Sequence, residues 1–115
     1  MCRAIWALAI GPDEEACGRI RRAAGADVQV IAMATTLDRA RELIGDTELD
    51  VAIVDATTPD AYGIVTKLRR LHPKVGVVWI GAEAPEIAHA AVAPSDLDTD
   101  HVPGAVTRAL LARRN

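Results

Sequence analysis

Near its centre the chain reads Leu49-Asp50-Val51-Ala52-Ile53-Val54-Asp55, and Pro59 and Gly63 follow. The unbroken apolar run before Asp55 is typical of a strand buried on both faces of a parallel sheet. Its carboxylate is therefore expected at the carboxyl end of a central strand, where α/β proteins place their functional groups. Pro59 and Asp60 predict that a helix begins directly afterwards.

The same alternation extends in both directions from this strand. Apolar runs at 5–10, 28–32 and 75–80 predict further strands, and helical spacing predicts helices between residues 13 and 25, 35 and 45, and 59 and 73. Towards the end we expect a short alanine-rich helix over 85–92, a strand of two or three residues around Leu97, and a last helix from Pro103. These repeats predict an α/β, flavodoxin-like fold: a five-stranded parallel sheet of order 2-1-3-4-5, with helices on both faces and a weak fifth strand.

Length and composition restrict the class of protein. The 115 residues are expected to form one domain, 1–115, and half of them are hydrophobic. A net charge of −3 does not favour a nucleic-acid partner, and no apolar stretch approaches the roughly 20 residues of a membrane span. Cys2 and Cys17 show no Cys-x-x-Cys spacing, which favours reduced thiols and a cytoplasmic location.

The spacing Asp55, Pro59, Gly63, with Asp50 before the strand, resembles the receiver domains of two-component response regulators, the CheY-like family. The resemblance covers nearly the whole chain and weakens after Ala91. It implies that Asp55 is the candidate phosphoacceptor, the residue that takes a phosphoryl group from a histidine kinase in this family.

Phosphoryl transfer to a carboxylate brings two anions together, so the family reaction requires Mg²⁺ and a fixed cation. The resemblance implies an acidic pair after the first strand, a Ser or Thr after the fourth and a Lys after the fifth. The corresponding positions are degenerate and hold Gly11, Pro12, Gly81 and Thr99. No lysine follows Lys74, so the cation is missing under any alignment.

Neither a metal site nor an enzyme is expected. Asp13 and Asp55 are weak metal candidates, because Asp13 reads as a residue of a first helical turn and Mg²⁺ demands near-octahedral geometry. Mg²⁺ is therefore not expected, nor is any other cofactor. The chain has no Gly-x-x-x-x-Gly-Lys loop and no Gly-x-Ser-x-Gly elbow.

The pattern resembles atypical or pseudo-receivers, including the N-terminal receiver-like domains of unusual response regulators and of the TadZ/CpaE group. It predicts a phosphorylation-independent module for signalling, protein interaction and homodimerisation, with no membrane or nucleic-acid partner. The expected interface lies on the final helix and the segment before it, at Ala90, Ala105, Ala109 and Leu110. Two alternatives stay open: a receiver phosphorylated on Asp55 in a phosphorelay, and a small-ligand sensor in which Gly81 leaves a pocket at the sheet edge.

Overall fold

A computed structural model describes residues 4–97 and 101–112 of the chain. Within these ranges the chain forms five strands, four α-helices and one short 3₁₀ turn. The strands are β1 (Ile5–Ile10), β2 (Val28–Ala34), β3 (Val51–Asp55), β4 (Gly76–Ile80) and β5 (Ala90–Val92). The helices are α1 (Glu14–Ala23), α2 (Leu37–Ile44), α3 (Ala61–Leu71) and α4 (His101–Ala112), and the 3₁₀ turn is Pro94–Asp96.

All neighbouring strands are parallel and follow the order β2-β1-β3-β4-β5. This order confirms the predicted CheY-like, flavodoxin-like architecture. The apolar runs of β3 and β4 are buried on both faces because helices cover each side of the sheet. No helix in the described ranges is a candidate membrane span.

The core consists of two apolar clusters, one on each face. The first lies under α1 and α4 and includes Ile20 and Val106. The second lies under α2 and α3 and includes Ile44, Leu68 and Trp79. The sheet between them carries Asp55 at its carboxyl edge.

Capping residues fix where the helices begin. Asp13 caps α1 by accepting a hydrogen bond from Ala16 N–H at 2.8 Å, and Thr36 caps α2 through Arg39 N–H at 3.2 Å. Asp60, before α3, has a left-handed backbone (φ 57°) and makes no side-chain cap bond. Its carboxylate lies over Gly63, where any β-carbon would collide with it, so Gly63 makes room for this turn.

The predictions for the segment after β4 were partly wrong. Residues 85–92 form no helix; instead Ala90–Val92 is the fifth strand. His89 extends the pairing, because its N–H donates to Val77 O and its Nδ1 accepts from Val77 N–H, both at 2.9 Å. These bonds to a buried strand outweigh the helix propensity of a few alanines, since so short a helix is only marginally stable by itself.

The strand expected around Leu97 is also wrong. The chain there forms the 3₁₀ turn, and Leu97 is buried in the cluster under α1 and α4. Leu97 is therefore a packing residue. The last helix begins at His101, two residues before the predicted Pro103.

Candidate functional site at the carboxyl edge of the sheet

Asp55 ends β3 beside Ile80 of β4 and is half-buried. Its Oδ1 accepts two hydrogen bonds from one residue, from Thr57 N–H at 2.9 Å and from Thr57 Oγ1 at 2.7 Å. A short turn of this kind is a common use of an aspartate at the end of a strand. One carboxylate oxygen of Asp55 is thus engaged in shaping the loop that leads to α3.

A cleft of about 530 Å³ opens next to Asp55. Its described lining includes three carboxylates, from Asp13, Glu15 and Asp55, and the guanidinium of Arg19 on α1. The wall near β4 is made by Gly81. The structure therefore gathers the predicted residues Pro12, Asp13, Asp55 and Gly81 in one cleft, in an environment where negative charge predominates.

Gly11, where the resemblance to receivers implies an acidic residue, is closely packed. A β-carbon at this position would lie 3.1 Å from Ala16 Cβ and 3.3 Å from Cys17 N and Sγ. These atoms belong to α1, which packs tightly against the end of β1. A larger residue at position 11 would require its neighbours in α1 to give by a few tenths of an ångström.

Gly81 is enclosed in the same way. A β-carbon there would lie 2.7 Å from Ala56 Cβ and 2.8 Å from Trp79 Nε1. Real β-carbons essentially never approach other atoms this closely, so neither Ser nor Thr fits without rearrangement. Ala56 and the Trp79 indole thus lie where a side chain at position 81 would begin, while Gly81 itself lines the cleft beside Asp55, and a small-ligand site at this edge stays a prediction.

The fifth strand lies earlier in the chain than predicted, so the position that would correspond to the receiver lysine also changes. Because β5 ends at Val92, the residue that follows it is Ala93, and Thr99 no longer corresponds to that position. Thr99 itself lies outside the described residues. The residue after β5 still provides no positive charge.

The residues at this edge do not fit a Mg²⁺ site. Gly11 and Pro12 offer no side-chain ligand, and Asp13 Oδ1 is used to cap α1. Within residues 4–97 and 101–112, no three His, Cys, Asp or Glu side chains are grouped so that they could hold a metal ion. Asp13 and Asp55 share the cleft without forming a ligand set.

Cys17 lies beneath the cleft, as a buried free thiol. Its Sγ lies 3.6 Å from Ala34 O and 3.9 Å from Ala9 O. Burial raises the pKa of the Cys17 thiol above its ordinary value of 9.0, and the charges of Asp13 and Asp55 raise it further, against hydrogen bonds to the backbone of Gly11 and Ala34. Cys17 is therefore held as an inert thiol.

The raised pKa of the Cys17 thiol predicts that the protein loses stability at alkaline pH. Above about pH 9 the unfolded chain releases the Cys17 proton while the folded chain, with its raised pKa, retains it, so the free energy of unfolding falls as the pH rises. Urea unfolding at pH 8 and pH 10, in a Cys2→Ser background, should show a steeper fall for the parent than for Cys17→Ala. Equal falls in both proteins would contradict the assignment.

The expected interface residues do not form one surface. Ala105 and Ala109 are fully buried in the core under α4, and Leu110 is partly buried against it. Ala90 lies on β5, opposite Val78, and not on a helix. The expectation that these residues offer an apolar contact face is wrong for Ala105 and Ala109, because the domain uses them for its own packing.

Sequence reasoning missed three residues. Arg19 has a signal, because Glu15 and Arg19 are four residues apart on α1 and so share the helix face that lines the cleft. Trp79 packs in the core under α2 and α3, but nothing in the sequence shows that its Nε1 abuts position 81. Asp50 was read as part of a motif, whereas its buried carboxylate accepts a 2.9 Å bond from Trp6 N–H.

Comparison with known proteins supports the fold. No family model matches the sequence, and no curated protein does. Solved structures do match. The signal receiver domain of an HD domain-containing protein from Pseudomonas fluorescens Pf-5 superposes with a TM-score of 0.77 at 14% identity, covering 97% of this chain and 98% of that one.

Two further matches are of the same kind. A CheY-like response regulator receiver domain protein from Methanospirillum hungatei JF-1 gives a TM-score of 0.67 at 18% identity, over 97% of this chain and 98% of that chain. The response regulator PhyR from Brucella abortus gives 0.73 at 18% identity, over 97% of this chain and 50% of that chain. The chain thus has the receiver-domain fold, and at these identities the likeness concerns the fold alone.

Proposed function

We propose that this domain is a pseudo-receiver, a module for signalling and protein interaction that works without phosphorylation of Asp55. It acts through contacts with other proteins, as a homodimer in the cytoplasm, with no membrane or nucleic-acid partner. The pseudo-receiver domains of atypical response regulators and of the TadZ/CpaE group are the functional parallel for this proposal. It needs neither Mg²⁺ nor another cofactor.

The packing around Gly11 and Gly81 is the observation that supports this proposal most. In a receiver, side chains at these positions hold the metal and the phosphoryl group. Here a β-carbon at Gly11 would fit tightly against α1, and a β-carbon at Gly81 would collide with Ala56 and Trp79. A nearby group could replace a missing side chain, but at position 81 Ala56 and Trp79 lie where a Ser or Thr side chain would begin.

The second candidate function is a conventional phosphoacceptor. It is favoured by the half-buried Asp55, whose Oδ2 accepts no hydrogen bond from any described residue, and by Arg19, a cation in the same cleft. The two other carboxylates of that cleft, Asp13 and Glu15, oppose it, since an added phosphoryl group would increase the negative charge. Pseudo-receiver function is therefore preferred.

Binding of a phosphoryl mimic distinguishes a pseudo-receiver from a conventional phosphoacceptor. Beryllofluoride with Mg²⁺ should leave the melting temperature and the amide spectrum around Asp55 unchanged. A ligand that binds only the folded state at 100 times its Kd would add about 2.7 kcal/mol, so binding would be easy to detect. A conventional receiver serves as the positive control, and stabilisation of this domain that Asp55→Asn abolishes would favour the phosphoacceptor.

A further inference from the structure

The connection between β4 and β5 differs from the connections between the earlier strands. Each of those contains an α-helix, whereas residues 82–88, all of them described, contain none. Parallel neighbours in a sheet usually require a crossover of a dozen or more residues, most often a helix. We call residues 82–88 the strap, because they cross from one strand to the next without regular structure.

The strap crosses the sheet on the face that α3 also covers. It leaves β4 after Gly81, at the carboxyl end of the strand, and rejoins the sheet at His89, whose N–H donates to Val77 O at 2.9 Å near the start of β4. On the way back Ile87 O accepts a 3.3 Å hydrogen bond from Arg69 Nη1 of α3. The last two residues of the strap pack against the apolar cluster under α2 and α3. The strap therefore runs back along the side of β4 that faces this cluster.

Few bonds hold the strap between its two ends. Among the described residues, it makes one internal hydrogen bond, from Ala88 N–H to Pro85 O at 3.0 Å, and one bond to another element, the 3.3 Å bond from Arg69. Residues 82–84 are exposed, and Ile87 is the one large apolar side chain that the strap contributes to the core. Segments with so few buried contacts and hydrogen bonds open locally more readily than the core does.

Two buried donors lie on the same face without an acceptor. Trp79 is 7% exposed and belongs to the cluster against which the strap packs, and its Nε1 has no hydrogen-bond partner. The Nε of Arg69, the residue that binds the strap, is also buried and without a partner. Both groups can only donate, and a buried donor without an acceptor carries a free-energy cost that contact with water removes. These donors therefore favour opening of the strap.

We propose that the strap opens while the sheet stays folded. The bonds of Gly81 N–H to Val92 O and of His89 to Val77 keep its two ends in place, and the contact between Arg69 and Ile87 holds it closed. Opening brings the Trp79 indole into contact with water. Because tryptophan is enriched at protein contacts, the open form offers a surface that the closed form hides. The inference goes beyond the proposed function and does not depend on it.

Hydrogen exchange of the Trp79 Nε1–H, followed by NMR in the intact chain, tests the opening. The chain has two tryptophans, so Trp6→Phe assigns the signal. Local opening exposes little surface, so urea below the unfolding transition should change the Trp79 exchange rate less than about twofold. The slowest amides of β3 and β4 exchange by global unfolding and should accelerate more than about tenfold. Parallel acceleration of Trp79 and these amides would overturn the proposal.

Two isoleucine variants attribute the opening to the strap. Ile87→Ala removes the main apolar contact of the strap and should speed Trp79 exchange about fivefold or more. Ile31→Ala, on β2, is the matched control and should leave that rate unchanged, because Ile31 (36% exposed) lies outside the strap and has the same surroundings in both forms. No effect of Ile87→Ala, or an equal effect of both variants, would contradict the proposal.

Discussion

Gly81→Ala is expected to lower the free energy of unfolding by about 1–3 kcal/mol, the usual effect of overpacking a core. A single added carbon meets Ala56 Cβ at 2.7 Å and Trp79 Nε1 at 2.8 Å. Ala56 Cβ is attached directly to the backbone, and Trp79 is packed into the cluster under α2 and α3. Neither atom can move aside at low cost. Urea unfolding monitored by circular dichroism measures the effect.

A second glycine, in open surroundings, is the control that tests whether the loss of stability is specific to position 81. Gly18 lies within α1, where a β-carbon would meet only Arg22 Nη1, at 3.6 Å. Gly18→Ala should therefore raise stability by about 0.5–1 kcal/mol through helix propensity. Combining Gly81→Ala with Ala56→Gly should recover part of the loss, with a coupling energy of at least about 0.5 kcal/mol. If Gly81→Ala were as stable as the wild type, position 81 would not be enclosed.

Asp50→Ala should cost about 1.5–3 kcal/mol, the range for a hydrogen bond to a charged group. The Asp50 carboxylate is buried and accepts from Trp6 N–H at 2.9 Å, while its own N–H donates to Trp6 O at 3.0 Å. The substitution deprives the Trp6 N–H at the start of β1 of this acceptor and removes a tie between β1 and β3. Chemical unfolding measures the loss.

Asp50→Asn and Asp55→Ala are the controls for this prediction. Asn keeps an acceptor for the Trp6 N–H, so Asp50→Asn should lose less than Asp50→Ala. Asp55→Ala should cost less still, about 0.5–1 kcal/mol, because the Thr57 N–H that it frees is exposed and can bond to water. A larger loss at Asp55 than at Asp50 would reverse the structural roles assigned to the two aspartates.

Strands β1, β3 and β4 were predictable because their signal is strong and local. Each contains an uninterrupted apolar run, and glycine or proline lies in its surroundings. The fifth strand was not predictable, because Ala90–Val92 has three residues and alanine favours helices. Hydrogen bonds between His89 and Val77 decide that segment, and no local pattern reveals them.

The candidate site, like the fold, was predictable only in part. The position of Asp55 and the loss of side chains at Gly11 and Gly81 could be read directly from the sequence. What replaced those side chains could not, because Ala16 and Ala56 are ordinary small residues until the packing of α1 and of the β3–α3 loop is known. Likewise, the burial of Ala105 and Ala109 depends on which face α4 turns towards the sheet.

Intact-mass measurement after incubation with acetyl phosphate and Mg²⁺ tests the central claim most directly. Asp55→Asn serves as the blank and a conventional receiver as the positive control. The lack of receiver side chains at Gly11 and Gly81, together with the enclosure of Gly81 by Ala56 and Trp79, predicts no phosphoryl adduct on the wild-type chain under conditions in which the control is modified. An adduct that appears on the wild type and is absent from Asp55→Asn would contradict phosphorylation-independent function.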